Sequence, residues 1–242
     1  MKQLEGKYAV ITGAGSGISY ETALVFAERG VQGIITADLN FAGVIKAAET
    51  ITSATGCNCI PYKVDVAIPE EIEALFNFVG EKFGRVDILV NGAGISPYNS
   101  IDEVDAYEWD KTLNINLRGT YLCAREAFKF MREQKYGKIV NVSSIAGRIG
   151  GIAAGINYSA SKGGVISATM ALAKVGAPYN IKVNSVAPGV INTPLTRDHA
   201  YPPGTIIGEP RDVAYLIAFL ASDESNHIVG CAIDINGGAY MS

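Results

Sequence analysis

Long apolar runs and a strong excess of charge are both missing from this chain of 242 residues. No stretch of about 18 consecutive apolar residues predicts a membrane span, and residues 1–7 lack the apolar run of a signal peptide. The net charge is only −4 with both signs interspersed, so no basic stripe favours a nucleic acid or an anionic membrane. We therefore expect a cytoplasmic protein that has neither a membrane nor a nucleic acid as its partner.

Cysteine and histidine are scarce as well. The chain has four cysteines, Cys57, Cys59, Cys123 and Cys231. One C-x-C pair without a second cluster does not make a zinc site, so we expect reduced structural thiols and no bound metal. The two histidines, His199 and His227, have no ligand-like neighbours, which argues against a zinc-dependent dehydrogenase and against a histidine-based hydrolase.

Hydrophobic residues, in contrast, make up 48% of the chain, which is enough for a large core. Short β-branched runs alternate with longer segments of helical period. The predicted strands cover residues 8–12, 33–37, 59–64, 88–91, 138–142, 182–187 and 232–235. The predicted helices cover residues 18–29, 41–54, 69–83, 108–133, 157–177 and 211–220. This alternation, without a linker or repeat, predicts a single α/β domain over residues 1–242: a Rossmann-type, doubly wound parallel sheet of seven strands.

The loop after the first predicted strand is rich in glycine and runs from Thr12 to Ser19. Glycines there let the backbone approach a pyrophosphate, which the free N–H groups at a helix start can bind. The spacing departs from G-x-G-x-x-G because Ile18 stands where the third glycine would be, so a simple tight connection is the alternative. The next strand ends at Asp38, 21 residues after Gly17, where an acidic residue can accept both ribose hydroxyls of an adenosine.

Asp38 also predicts which dinucleotide is bound. Its charge would repel a 2′-phosphate, and no arginine or lysine lies at positions 14–16 or 39–40 to bind one. The predicted cofactor is therefore NAD and not NADP. The alternative is that Asp38 is the N-cap of the helix that follows.

Tyr158 and Lys162 are four residues apart, which brings a phenol and an ammonium to one face of a helix. Six further features surround this pair: the glycine loop, Asp65, residues 91–94 (NGAG), Asn116, residues 143–144 (SS) and residues 188–193 (PGVINT). In this order, and over nearly the whole chain, they resemble the short-chain dehydrogenase/reductase family. Within the family the chain is most similar to the group of bacterial 3-oxoacyl-carrier-protein reductases and polyol dehydrogenases.

Two positions depart from the family pattern. Ser19 stands where the family usually has the last glycine of its loop, and Gly92 stands where it usually has a second asparagine. The glycine normally serves close packing of helix on strand, so Ser19 is expected to displace the first helix slightly and weaken cofactor binding. Gly92 removes an amide that could brace the strand end, which leaves the local backbone less constrained.

The resemblance implies an oxidoreductase that moves a hydride between a nicotinamide and a secondary alcohol or ketone. Tyr158 is then the acid/base group at the substrate oxygen. A free phenol has a pKa of about 10, so a phenolate at neutral pH would cost roughly 4 kcal/mol. We expect Lys162, together with the positive ring of oxidised NAD, to reduce this cost. Ser144 is expected to hydrogen-bond the substrate oxygen, with Ser143 as its alternative. Asn116 would keep a water-linked proton path to Lys162.

The resemblance further assigns cofactor contacts along the strand ends. They are Gly13, Ser16, Gly17, Ile18, Asp38, Asp65, Val66, Asn91, Ala93, Gly94, Tyr158, Lys162, Pro188, Gly189, Ile191 and Thr193. Among these, Asp65 and Val66 would contact the adenine and Thr193 the carboxamide. The alternatives are a strand-end turn role for Asn91 and a helix cap role for Thr193.

Substrate specificity is expected to depend on the segments 96–98, 150–157 and 195–208, of which the last would be a short lid. The cofactor prediction favours a small polyol, hydroxy acid or related carbonyl compound as substrate. The alternative is a 3-oxoacyl-carrier-protein reductase using NADPH or NADH, and a more distant one is an inactive NAD-binding sensor or scaffold. By resemblance, we expect a homotetramer (or homodimer) formed through the two long helices and the last strand.

Overall fold

The computed structural model of the chain describes residues 2–97, 100–151, 155–197 and 201–241. Within these residues, seven parallel strands form the main sheet. In chain order they are β1 (Tyr8–Thr12), β2 (Gly33–Asp38), β3 (Asn58–Lys63), β4 (Ile88–Asn91), β5 (Gly137–Val142), β6 (Ile181–Pro188) and β9 (Ala232–Ile235). Between β6 and β9, the short strands β7 (Val190–Ile191) and β8 (Ile207–Gly208) form a separate parallel pair. Their spatial order is β3-β2-β1-β4-β5-β6-β9.

Helices connect the strands and cover both faces of the sheet. They are α1 (Gly17–Glu28), α2 (Phe41–Thr55), α3 (Pro69–Phe83), α4 (Ala106–Leu113), a π-helical segment (Asn114–Gly119), α5 (Thr120–Gln134), α6 (Ala146–Ile149), α7 (Ile156–Gly176) and α8 (Pro210–Ala221), with 3-10 turns at Ala177–Tyr179 and Asp223–Ser225. The doubly wound fold predicted from the sequence is confirmed, and the bounds of its predicted strands agree within one residue. The predicted helix 108–133 is three segments, because a π-helical turn interrupts it.

Side chains alternate between two apolar layers along the buried strands. On β4, Ile88 and Val90 contact the layer formed with α1 and α8, whereas Leu89 faces the layer formed with α3 and α5. A strand that is buried on both faces must be apolar at every position, which explains the continuous apolar runs in the sequence. The chain order reverses between β1 and β4, so the loops after these two strands diverge and leave a crevice between them.

The described part of the chain offers little for a membrane span, a metal site or a reactive thiol. There, no helix is long and apolar enough to cross a membrane, and no cluster of three or more His, Cys, Asp or Glu residues could hold a metal ion. All four cysteines are free, and Cys231 is exposed. Burial raises the pKa of Cys57 to about 11 and that of Cys123 to about 12, so these thiols are poorly reactive. His199 lies outside the described residues.

Candidate active site

A crevice of about 880 Å³ lies beyond the carboxyl ends of the central strands. Its volume is in the range of cofactor and small-molecule pockets. All the predicted site residues line it except Asn91 and Asn116. Those that do are Gly13, Ser16, Gly17, Ile18, Asp38, Asp65, Val66, Ala93, Gly94, Ser144, Tyr158, Lys162, Pro188, Gly189, Ile191 and Thr193.

Glycines in the loop after β1 allow a positive φ and a close approach to the neighbouring backbone. Gly13 has a φ of +71°, and a Cβ there would lie 2.7 Å from the backbone N of Ala93. Gly17 has a φ of +60° and begins α1. The side chain of Ser16, the N-cap, makes no capping hydrogen bond, so the first N–H groups of α1 remain available at the crevice wall. A helix start of this kind favours an anionic group such as a pyrophosphate.

Asp38 ends β2 at the mouth of the crevice. Its carboxylate accepts the backbone N–H of Gly15 and that of Asn40, each at 2.9 Å. The alternative role of Asp38 as a helix N-cap is wrong, because Asn40 caps α2 by accepting the N–H of Gly43 at 3.1 Å. Each carboxylate oxygen keeps a lone pair beyond these two bonds, which leaves acceptors for ribose hydroxyls.

Asn91 does not line the crevice. Its Nδ2 donates to Asn141 Oδ1 at 2.9 Å and to the Thr120 carbonyl at 3.3 Å, so the side chain points into the protein. The strand end is held instead by Thr12, whose Oγ1 accepts the N–H groups of Gly92 and Ala93 at 3.2 and 3.3 Å. The Asn91 side chain therefore has a structural role below the crevice floor, and a cofactor contact of this residue stays a prediction. The role of Thr12 was not predicted from the sequence.

Asn116 also lies behind the crevice wall, in the π-helical segment. Its Oδ1 accepts the N–H of Ile95 at 2.9 Å, and its Nδ2 donates to the Ile95 carbonyl at 2.9 Å and to Ser161 Oγ at 3.0 Å. Both amide hydrogens are thus used, and the side chain is fully buried. Asn116 fixes the chain after β4 against α7, and the proton path through it stays a prediction. π-helical turns of this kind often occur at functional sites.

Tyr158, Ser144 and Lys162 meet at the inner end of the crevice. The Ser144 hydroxyl interacts with that of Tyr158, which lowers the pKa of the phenol. Lys162 Nζ lies 5.7 Å from the centre of the Tyr158 ring and donates to the Val142 carbonyl at 2.8 Å. Ser143 is turned away, because its hydroxyl donates to the Lys162 carbonyl at 2.8 Å. The geometry therefore favours Ser144 over Ser143 as the serine beside the reacting oxygen.

Electrostatics at this point differ from the sequence-based expectation. Burial raises the pKa of Tyr158, and neither the Ser144 hydroxyl, which lowers it, nor Tyr201, which adds to the increase, reverses that direction. Burial also lowers the pKa of Lys162 to about 8. Burial thus outweighs any decrease of the phenol pKa in this structure, and the stabilisation of a phenolate by Lys162 stays a prediction.

One wall of the crevice was not predicted from the sequence. Tyr107, Lys111 and Ile115 line it from α4 and the π-helical segment. Their i, i+4 spacing was the available signal, since it places all three on one face of a helix.

The region of the predicted lid is only partly described. Leu195 and Thr196 line the crevice, and the β7–β8 pair holds the far end of the segment. Thr193 caps no helix, since a turn follows it in which its carbonyl accepts the N–H groups of Thr196 and Arg197 at 3.1 Å each. Tyr98, residues 152–154 and residues 198–200 of the expected specificity segments lie outside the described residues.

Comparisons with known proteins agree with this geometry. The family profile described as short chain dehydrogenase matches residues 7–201. The 3-oxoacyl-(acyl-carrier-protein) reductase FabG of Thermotoga maritima is 40% identical, with 99% of this chain and 100% of that protein covered. The (2S)-((R)-hydroxy(phenyl)methyl)succinyl-CoA dehydrogenase subunit BbsD of Thauera aromatica is 36% identical, with 98% of each covered.

A solved structure gives the same result. A short-chain type dehydrogenase/reductase from Mycobacterium marinum has a TM-score of 0.95 and 31% identity, with 100% of this chain and 98% of that chain covered. The chain belongs to the short-chain dehydrogenase/reductase family. It is an oxidoreductase that uses a nicotinamide cofactor and acts on CH–OH or carbonyl groups.

Proposed function

We propose that this protein interconverts a 3-oxoacyl thioester and the corresponding 3-hydroxyacyl thioester, with NAD(H) as its cofactor and Tyr158 as its acid/base group. The observation that carries the proposal is one continuous crevice with the Asp38 carboxylate at its mouth and the Ser144–Tyr158–Lys162 group at its inner end. The similarity to the Thermotoga maritima reductase and the Thauera aromatica CoA dehydrogenase supports a thioester substrate. It favours this alternative over the small polyol or hydroxy acid first expected.

The residues of the crevice fit a dinucleotide. Gly13 leaves no room for a side chain against Ala93, and the free N–H groups at the start of α1 suit a pyrophosphate. At the mouth, the Asp38 carboxylate would accept the adenosine ribose hydroxyls and repel a 2′-phosphate. NAD(H), when bound, supplies or accepts the hydride.

The protein's own contribution is the handling of the substrate oxygen. In the direction of reduction, the Ser144 and Tyr158 hydroxyls would both donate to the carbonyl oxygen and hold it at the inner end of the crevice. A neutral phenol, which burial favours, is the form that can then give its proton to this oxygen. The ammonium of Lys162 stabilises the phenolate that remains, because charges interact strongly where water is excluded.

The experiment is an activity matrix with the purified full chain. Acetoacetyl-CoA and the matching 3-hydroxybutyryl-CoA are assayed beside sugar alcohols and hydroxy acids, each with NAD(H) and NADP(H), by nicotinamide absorbance. We expect turnover of the thioesters with NAD(H). Turnover of polyols without turnover of thioesters would overturn the proposed substrate, and a preference for NADPH would overturn the assignment of Asp38.

We further propose that residues 1–242 act as one catalytic domain in a homotetramer (or homodimer). The exposed Tyr121 on α5 and the exposed Met170 and Val175 on α7 support the use of these helices as interfaces. Light scattering during size-exclusion chromatography measures the assembly, and a monomer at micromolar concentration would contradict it. The cytoplasmic location stays a prediction.

A further inference from the structure

The two residues that depart from the family motifs face each other at the crevice floor. Ser19 lies in the first turn of α1, and Gly92 directly follows β4. A Cβ added to Gly92 would lie 2.0 Å from Ser19 Oγ, 3.3 Å from Ser19 Cβ and 3.0 Å from the Thr12 carbonyl oxygen. The side chain of Ser19 therefore occupies the space that a side chain at position 92 would need.

This contact explains why Ser19 is accommodated. A serine in the first turn was expected to displace α1 slightly; in the structure α1 begins at Gly17 and Ser19 is only 3% exposed. The absence of a side chain at position 92 makes room for it. The two departures from the family pattern are thus in contact with each other, and the side chain between α1 and the end of β4 comes from the helix.

The Ser19 hydroxyl also has no hydrogen-bond partner in the part of the chain that the structure describes. Ser19 and Gly92 both line the crevice, and Ser19 Oγ makes no hydrogen bond within the described ranges. Because Ser19 Oγ is accessible from the crevice and donates to no acceptor among the described residues, a bound group that accepts its hydrogen bond gains affinity. The nearby free N–H groups at the start of α1 favour an anion at this point.

We propose that Ser19 is a further dinucleotide-binding residue whose hydroxyl donates to the pyrophosphate of the bound cofactor, and that Gly92 is required to leave space for this side chain. This inference rests on the proposed binding of NAD(H). It assigns to Ser19 a direct contact that replaces the packing role of a glycine at this position.

The first test removes the hydroxyl and keeps the Cβ. We expect Ser19→Ala to bind NADH about tenfold more weakly by isothermal titration calorimetry, while the Tm of the unliganded protein stays at the wild-type value. Thr22→Val is the matched control, because the Thr22 hydroxyl is on the same helix but donates to the Ile18 carbonyl at 2.8 Å. Its NADH affinity should not change.

Wild-type NADH affinity in Ser19→Ala would overturn the proposed hydrogen bond. Failure of the wild-type protein to bind NADH would instead overturn the proposed function, so the two failures are distinguishable.

The second test measures the contact between positions 19 and 92. We expect Gly92→Ala to lower the Tm of the unliganded protein by about 5 °C, because its Cβ would overlap Ser19 Oγ. Ser19→Gly combined with Gly92→Ala should recover most of this loss, although the Thr12 carbonyl at 3.0 Å prevents full recovery. If Gly92→Ala prevents folding, recovery of soluble protein by the double variant serves as the readout. Additive losses, with no recovery, would overturn the pairing.

Discussion

Asp38→Asn removes one charge from the mouth of the crevice and changes little in shape. A unit charge pair at about 4 Å is worth about 1 kcal/mol in water and several times more near a protein surface. A 2′-phosphate carries a charge of about −1.5 to −2, so its repulsion by Asp38 is about 2–3 kcal/mol. Loss of that repulsion should shift the ratio of the NADPH Kd to the NADH Kd toward NADPH by about 30- to 150-fold.

The same substitution has a structural cost that follows from two distances. The carboxylate accepts the N–H groups of Gly15 and Asn40 through different oxygens, each at 2.9 Å. Asparagine has only one acceptor oxygen, so one of these N–H groups loses its partner. We expect a loss of about 1–2 kcal/mol in the free energy of unfolding.

Fluorescence titration with NADH and NADPH at about 0.15 M salt measures the ratio, and denaturant unfolding measures the stability. Asp65→Asn is the matched control, since Asp65 lies at the next strand end and its carboxylate accepts the Ala67 N–H at 2.8 Å. It should leave the ratio unchanged. If Asp38→Asn also leaves the ratio at its wild-type value, the charge of Asp38 does not face the 2′ position and the reasoning is refuted.

Three further predictions concern the inner end of the crevice and Lys138, which lies near the amino end of the interior strand β5. Tyr158→Phe should lower kcat by at least about 10³-fold and leave the NADH Kd nearly unchanged; retained turnover would exclude Tyr158 as the acid/base group. Ser144→Ala should lower kcat by about 10²-fold. Ser143→Ala should mainly lower the free energy of unfolding, by about 1 kcal/mol, because it loses the hydrogen bond to the Lys162 carbonyl. The reverse pattern in kinetics and denaturant unfolding would exchange the roles of the two serines. Burial lowers the pKa of Lys138 to about 8. Above pH 8 the folded protein therefore releases a proton that the unfolded chain keeps until about pH 10.5. Because the unfolded state binds more protons in this range, the contribution of Lys138 to the free energy of unfolding rises with pH. Relative to Lys138→Met, the wild type should therefore gain up to about 1.4 kcal/mol per pH unit between about pH 8 and 9.5 in denaturant unfolding, and a constant difference over this range would contradict the assignment.

Much of the fold could be predicted because its signals are local. Parallel strands buried on both faces are apolar at every position, so runs such as Ile88–Asn91 are visible without knowledge of their neighbours. The π-helical turn at Asn114–Gly119 could not be predicted, because its residues continue a helical period. The sheet order, with β1 beside β4, also depends on contacts between segments that are distant in the chain.

Within the candidate site, the sequence could place those residues whose type and spacing carry the proposed chemistry. Tyr158 and Lys162 share a helix face by their spacing alone, and Asp38 was located by the strand that it ends. The sequence could not show that the Asn91 side chain turns inward or that Ser143 bonds to the Lys162 carbonyl. Neighbouring residues of the same type differ only in the partners that the folded chain brings to them.

The sequence by itself determined the order of strands and helices along the chain, the glycine loop and the candidates for the reacting groups, because these depend on periodicity and on residue chemistry. Only the tertiary structure decided which serine faces Tyr158, what the ammonium of Lys162 contacts and why Ser19 fits opposite Gly92. Ser19 and Gly92 are 73 positions apart in the chain and meet because β1 and β4 are neighbours in the sheet. Distances between such segments, and the burial that shifts their pKa values, exist only once the chain has folded.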